Sequence, residues 1–171
     1  ELLGVLPDAD EDPAGIMQVE GVVRTDPAGL MAEAFRHLRT NILAQMDRRG
    51  HKTLLLYGAQ GNSGVTAIVA NLALSLSLNG RKVIVVDANF RRPALHDLFG
   101  TSAEPGLVEV LKGTAQIDQV IRPYSESNAG TDAGIDSGAE FEVEIIPAGS
   151  PSDASPELLE GSKHHADKDA L

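Results

Sequence analysis

The run Thr53-Leu54-Leu55-Leu56-Tyr57-Gly58-Ala59-Gln60-Gly61-Asn62-Ser63-Gly64-Val65-Thr66 decides how the rest of the chain is read. Its first five residues are apolar enough for a strand of a parallel sheet covered on both faces. Residues 59 to 66 have the frame of a phosphate-binding loop. In the form G-x-x-x-x-G-K-[ST], backbone N–H groups wrap a β-phosphate and the lysine ammonium reaches the β and γ oxygens. The hydroxyl that follows holds Mg²⁺. Gly61 and Gly64 keep the permissive backbone and Thr66 keeps the hydroxyl, but Val65 stands where the lysine belongs. That position separates nucleotide binding from nucleotide chemistry. A glycine turn between strand and helix also serves close packing alone, so the loop by itself leaves both readings open.

Downstream, Thr66 to Leu78 reads as a helix stopped by Asn79-Gly80. Lys82 to Asp87 reads as a second buried strand that ends on a carboxylate. Strand, loop, helix and strand make one right-handed βαβ unit. Ligands of such sheets bind beyond the carboxyl ends of the strands, so Gly64 and Asp87 are expected at one edge. Alone, Asp87 reads equally as a turn or helix cap. Beside a phosphate loop it reads as a carboxylate for Mg²⁺. Arg91-Arg92 follows, suited to a phosphate or to a surface ion pair. Short helices are expected over Pro93 to Phe99 and Gly106 to Lys112, stopped by Gly100 and Gly113. Ser125 to Glu140, rich in Ser, Gly, Ala and Asp, reads as a mobile surface loop. Phe141 to Ile146 reads as a third strand, and Ser155-Pro156-Glu157 opens a helix. Tyr57 is expected in the core and Tyr124 at the start of the loop.

Upstream, residues 1–27 read as linker and N-terminal segment, with an acidic, Pro-bounded stretch from Pro7 to Pro13. Residues 28–171 form the nucleotide-binding-like domain. A helix is expected from Ala28 to Arg49, with Met31, Phe35, Leu38, Ile42 and Met46 as its apolar stripe. Glu33, Arg36 and Arg39 form a ridge beside that stripe. On pattern alone this is a solvated face held by intrahelical Glu–Arg pairs.

The bulk properties narrow the function classes. At 171 residues with 42% hydrophobic and 23% charged residues, the chain has ordinary globular composition and one domain's length. A formal charge of −11 argues against a nucleic-acid partner, which needs concentrated Lys and Arg. It is compatible with a phosphate loop that works through backbone amides. Zero cysteines exclude disulfides and thiolate metal sites. No signal peptide is expected from Glu1-Leu2-Leu3-Gly4, and the apolar run Thr66 to Leu78 is too short and polar to span a bilayer. His164-His165 with Asp167 and Asp169 reads as a solvated tail in preference to a metal site.

In order along the chain, several segments resemble the cytoplasmic P-loop domain of bacterial tyrosine kinases (BY-kinases) and the linked polysaccharide co-polymerases. These are Leu3-Gly4-Val5-Leu6-Pro7, the Glu33–Ile42 helix, the loop, Asn71-Leu72-Ala73, the Val86–His96 segment, Gly106-Leu107, Ile146-Pro147-Ala148-Gly149 and Pro156-Glu157-Leu158-Leu159. The resemblance implies an α/β fold, a mostly parallel sheet flanked by helices, P-loop NTPase-like and of the deviant Walker type. It implies ATP or ADP bound with Mg²⁺ on Gln60, Gly61, Asn62, Ser63, Gly64, Val65, Thr66 and Arg91. Thr66 and Asp87 would hold the metal, and Asp87 would carry what catalytic role remains. It implies protein-tyrosine autophosphorylation within a ring of copies. It also implies work with a membrane-anchored polysaccharide co-polymerase segment or partner at the inner, cytoplasmic face of the membrane. By that resemblance Glu33, Arg36 and Arg39 become an oligomerisation element, which reverses the reading from pattern alone.

The departures set the functional expectation. Val65 replaces the lysine and Asn89 replaces a second acidic residue two places after Asp87. The family's next strand, ending in an Asp of the metal site, is expected after Leu158-Leu159, and the chain ends at Leu171 before it. Its C-terminal tyrosine cluster has no counterpart here. Losing one preorganised charge-stabilising donor costs ~3 kcal/mol or more, roughly 10²–10³ in rate. The expectation is therefore an oligomerising, nucleotide-sensing module with weak or no kinase activity. The alternatives are an active autokinase completed by residues outside the chain and a partitioning- or positioning-type ATPase. The ATPase is disfavoured by the Glu33–Arg39 ridge and Arg91-Arg92-Pro93.

Overall fold

The computed structural model describes residues 2–8, 19, 21–60, 63–124 and 142–150. They divide into two compact units. One holds the residues up to Val83 together with Glu142 and Val143; the other holds Ile84 to Tyr124 together with Glu144 to Ser150.

The first unit is helical: α1 (Val22–Thr25), α2 (Leu30–Arg49) and α3 (Val65–Ser77). Helix α2 begins two residues later than the sequence suggests and ends as expected, at Gly50 with φ of 68°. The left-handed residue lets the His51 amide reach back to the Met46 carbonyl at 2.9 Å, closing the helix. Met31, Phe35 and Ile42 of the expected stripe are buried, and Leu38 and Met46 are half-buried at its margin. Each fully buried side chain of this size contributes about 1.5–3 kcal/mol. Helix α3 is almost wholly apolar and correspondingly buried from Ala70 to Ser75. Its buried Asn71 is satisfied on every side. Oδ1 accepts the Val23 amide at 3.2 Å, and Nδ2 donates to the carbonyls of Val19 at 2.7 Å and Ala67 at 3.0 Å. This amide pins α1 against α3, so Val22 and Val23, within the stretch expected to be linker, are part of the core. At the far end of α3, the Glu142 amide donates to Ser77 Oγ at 2.6 Å.

The second unit carries most of the sheet. Strands β1 (Val83–Val86), β2 (Arg122–Pro123) and β3 (Val143–Ile146) lie in the order β1-β3-β2, with α4 (Leu95–Leu98), α5 (Leu107–Leu111) and α6 (Ile117–Val120) between β1 and β2 in sequence. The Val83 amide donates to Glu142 and the Asp87 amide to Ile146, the same advance on both strands, so β1 and β3 run parallel. β2 pairs antiparallel with β3, Arg122 opposite Ile145. Pro123, which cannot donate to a ladder, sits on this edge strand. The segment after β3 locks onto α5: the Leu107 and Val108 amides donate to the carbonyls of Pro147 at 2.8 Å and Ala148 at 2.9 Å. Glu109 closes the same junction, accepting the Gly106 amide at 2.6 Å and the Ser150 amide at 3.1 Å.

The fold is α/β, as expected, but the first strand is not. Residues 53 to 57 form no ladder among the described residues, and Leu55 and Tyr57 are 86% and 87% exposed. A strand exists only through the partner that takes up its backbone groups; here β1 pairs with β3, and no strand of the described sheet takes up residues 53 to 57. The βαβ unit is therefore not formed, and Tyr57 is not a core residue. Strand β1 is likewise half covered, with Val85 buried and Ile84 and Val86 exposed. The two short helices stopped by Gly100 and Gly113 and the third strand are found where expected, while α6 and β2 were not anticipated. The 125–140 loop, the helix from Ser155 and the His164–Asp169 tail lie outside the described residues.

Candidate functional site

The phosphate-loop frame lies in the first unit, at the head of α3. Gly64 is its N-terminal cap residue, left-handed at φ 68°, and as a glycine supplies no side-chain cap hydrogen bond. A helix N-terminus presents backbone N–H groups and the positive end of the dipole, the arrangement that receives a phosphate. Gln60, Ser63 and Gly64 are exposed, and Val65 and Thr66 half-buried; Gly61 and Asn62 lie outside the described residues. Val65 does more than omit a charge. A Cβ on Gly58 would collide with Val65 Cγ2 and Ser63 Oγ, so the loop closes back on Gly58 with valine against its base. Thr66, in the first turn of α3, offers a hydroxyl beside this N-terminus.

Asp87 lies in the second unit, and its setting differs from the expected metal site. It is 3% exposed. Oδ1 accepts the Asn89 amide at 3.0 Å; Oδ2 accepts the amides of Ala94 and Leu95, both at 3.2 Å. Asn89 continues the pattern, its Oδ1 accepting the Arg92 amide at 3.2 Å. The carboxylate is used as an acceptor for three backbone donors, which is the cap reading. Oδ1 accepts one of these amides and Oδ2 two, so a divalent cation would meet a carboxylate already engaged by backbone donors. The expected convergence with Gly64 also relied on the βαβ strand that does not form. Arg91 and Arg92 are exposed, and neither joins an ion pair among the described residues. No cluster of three or more His, Asp or Glu suited to a metal occurs among them either.

The Glu33–Arg36–Arg39 ridge separates into two parts. Arg36 binds Glu33 through both Nε, at 2.7 Å, and a second nitrogen, and also reaches the Pro27 carbonyl at 2.7 Å. His37 adds a contact to Glu33 at 3.2 Å. The Arg36 hydrogen bond, with its charge and that of His37, holds the Glu33 carboxyl below the usual carboxylate range. This trio is on the surface. Arg39 instead turns inward, donating to the Ser75 carbonyl at 2.9 Å and to Ser75 Oγ at 3.3 Å. Ser75 as its partner was missed because the main acceptor is a backbone carbonyl, which any residue type supplies.

No family model matches the chain. It is similar to tyrosine-protein kinase YwqD of Bacillus subtilis, 32% identical over 113 residues, covering 66% of this chain and 47% of that protein. To tyrosine-protein kinase Etk of Escherichia coli it is 35% identical over 101 residues, 59% of this chain and 14% of that protein. Among solved structures, the kinase domain of Escherichia coli tyrosine kinase Etk superposes with a TM-score of 0.72 at 25% identity. That match covers 94% of this chain and 59% of the other. The chain thus spans under half the length of these curated relatives. No helix among the described residues is long and apolar enough to cross a membrane.

Proposed function

We propose that this chain, a relative of the bacterial tyrosine kinases that shares the fold of their kinase domains, is a self-associating, nucleotide-binding regulatory domain of exopolysaccharide or capsule assembly. Its phosphoryl-transfer capacity is weak or absent. The observation that carries this reading is the head of α3, which keeps the left-handed Gly64 as a cap residue without a side chain, while Val65 packs on the loop base where the lysine is needed. Phosphates of ATP or ADP would be held by the amides at the loop and helix start, with the Thr66 hydroxyl toward Mg²⁺. Bound nucleotide would bring the transferable phosphoryl group. What this chain's own residues do is bind and orient it, and phosphoryl transfer depends on charge stabilisation that valine cannot give.

Self-association is assigned to the exposed Glu33–Arg36 part of α2, because Arg39 is already engaged within its own chain. A membrane-anchored co-polymerase segment or partner would place the domain at the inner face of the membrane. A second reading, an active autokinase completed by residues beyond this chain, is favoured by the chain's spanning only 47% of the Bacillus relative.

Calorimetric titration with Mg·ADP and Mg·ATP, beside the Val65→Lys variant, tests the main reading. Micromolar binding by the unmodified chain with no phosphotyrosine by mass spectrometry supports it. Phosphotyrosine on the purified chain supports the second reading. Binding by Val65→Lys alone overturns nucleotide sensing and leaves assembly as the role.

A further inference from the structure

We infer that the end of the first unit where α2 and α3 finish is a docking surface for an anionic lipid bilayer. This chain's own residues hold the lipid there, and neither a nucleotide nor a membrane-anchored partner is needed. Helix α2 ends in Arg48-Arg49, His51-Lys52 follow Gly50, and Arg81-Lys82 follow the end of α3. The two stretches are tied together, since Arg81 donates to Asp47 Oδ2 at 3.2 Å. All six basic side chains are exposed. Five of the chain's 14 Lys and Arg thus meet at one end of the unit. Among the described residues the carboxylates paired with them are Asp47 and Glu142, the latter 3.7 Å from Lys82 Nζ. On a chain of net charge −11 this cluster reverses the local sign, and an anionic surface is its charge complement.

Helix-end chemistry explains part of the cluster. Arg48 Nε donates to the Ala44 carbonyl at 2.9 Å, as a cation in a last helical turn does. Arg49 and Lys52 have no such use: neither joins a hydrogen bond or an ion pair among the described residues. What selects a bilayer is the apolar surface beside these charges. Leu54, Leu55 and Tyr57 are exposed and continue the chain from Lys52, and exposed Leu78 closes α3 three residues before Arg81. Lys52 and Leu55 lie at most about 11 Å apart, the reach of three residues. Cations at the headgroups, leucines at the acyl boundary and a tyrosine ring between them are what an interfacial membrane site requires. A nucleic acid would use the cations but leave the leucines without a partner, with Tyr57 alone to stack on a base.

The test is co-sedimentation of the nucleotide-free chain with vesicles, at concentrations where it sediments as a single copy. One set is phosphatidylcholine alone, the other equal parts phosphatidylcholine and phosphatidylglycerol. Binding is expected to the anionic vesicles only, and to weaken as salt rises. Arg49→Gln with Lys52→Gln should lower that affinity about 25-fold at low salt. Leu55→Gln should lower it roughly tenfold and leave the salt dependence unchanged. Lys112→Gln, a charge removed from the second unit, should leave it unmoved. These side chains are exposed, so denaturant midpoints are expected to match that of the unmodified chain. As a second readout, Leu55→Trp introduces the single tryptophan of a chain that has none, and its emission should shift to the blue on anionic vesicles. Equal binding to both vesicle types overturns the inference, as does anionic binding indifferent to the Arg49, Lys52 and Leu55 changes. Affinity for polyuridylate without affinity for vesicles overturns it too, and assigns the cations to nucleic acid. None of these outcomes depends on whether the phosphate loop binds Mg·ADP or Mg·ATP.

Discussion

The guanidinium of Arg39 donates to the carbonyl of Ser75, one helix closing the end of another. The amides just past α3 go to the carbonyls of Leu74, Leu76 and Ser77, which leaves the Ser75 carbonyl to Arg39. A cation at a helix C-terminus also complements the dipole. Hydrogen bonds to charged groups contribute roughly 1.5–3 kcal/mol, so Arg39→Met should lower unfolding free energy by about that amount. Arg39→Lys, which keeps charge but not the fork, should recover only part. Denaturant midpoints measured at constant m-value decide it. An unchanged midpoint would release Arg39 for contacts between copies.

Glu33 gives a pH signature. Its carboxyl is held below its ordinary value of 4.5, first by the Arg36 hydrogen bond, so it binds protons less readily folded than unfolded. The stability from this contact is fully present above that ordinary value and is lost as pH falls through the lowered folded value. Glu33 is exposed, so the effect is small and salt-sensitive. Glu33→Gln should lower the neutral region slightly at low salt and flatten the acid limb, so that the two stability-versus-pH curves converge at low pH. A steeper acid limb in the variant would contradict the pairing.

Gly106 faces the backbone after β3 so closely that a Cβ there would overlap the Gly149 nitrogen and the Pro147 oxygen. Neither backbone atom can step aside without breaking the bonds that Pro147 and Ala148 accept from α5. Gly106→Ala should therefore destabilise by about 1–3 kcal/mol, as overpacking does. Thermal unfolding of the second unit, followed by exchange of the Leu107 and Val108 amides, is the measurement. Gly106→Ala with wild-type protection of both amides would mean that the junction is looser than described.

The parts of this architecture that sequence makes legible are those written in local chemistry. Glycines at positions 50, 80, 100 and 113 all take positive φ and all end helical turns, as their spacing after apolar runs suggests. The α2 stripe is legible because burial of Met31, Phe35 and Ile42 follows from a 3.6-residue period. Asp87 carried two readings, and only the positions of three backbone amides choose the cap. The role of Arg39 was hidden for the same reason, since its partner is main chain. What failed is pairing: apolar composition says that a segment wants to be covered, but not which strand covers it.

That failure sets the sharpest test, at Leu55. As a strand buried on both faces, the segment 53 to 57 would place Leu55 in the core, where exchange for a polar residue costs about 2–5 kcal/mol. In the structure Leu55 is 86% exposed, and a surface change of this kind falls within ±0.5 kcal/mol. Leu55→Gln is thus expected to leave the denaturant midpoint unmoved, with Val85→Ala as the buried control at 6% exposure. Since exposed apolar residues next to unpaired backbone invite association, Leu55→Gln should also raise the concentration at which the chain self-associates in sedimentation. A large loss of stability in Leu55→Gln would instead show that residues 53 to 57 are covered in solution, and the missing ladder would have to be found there.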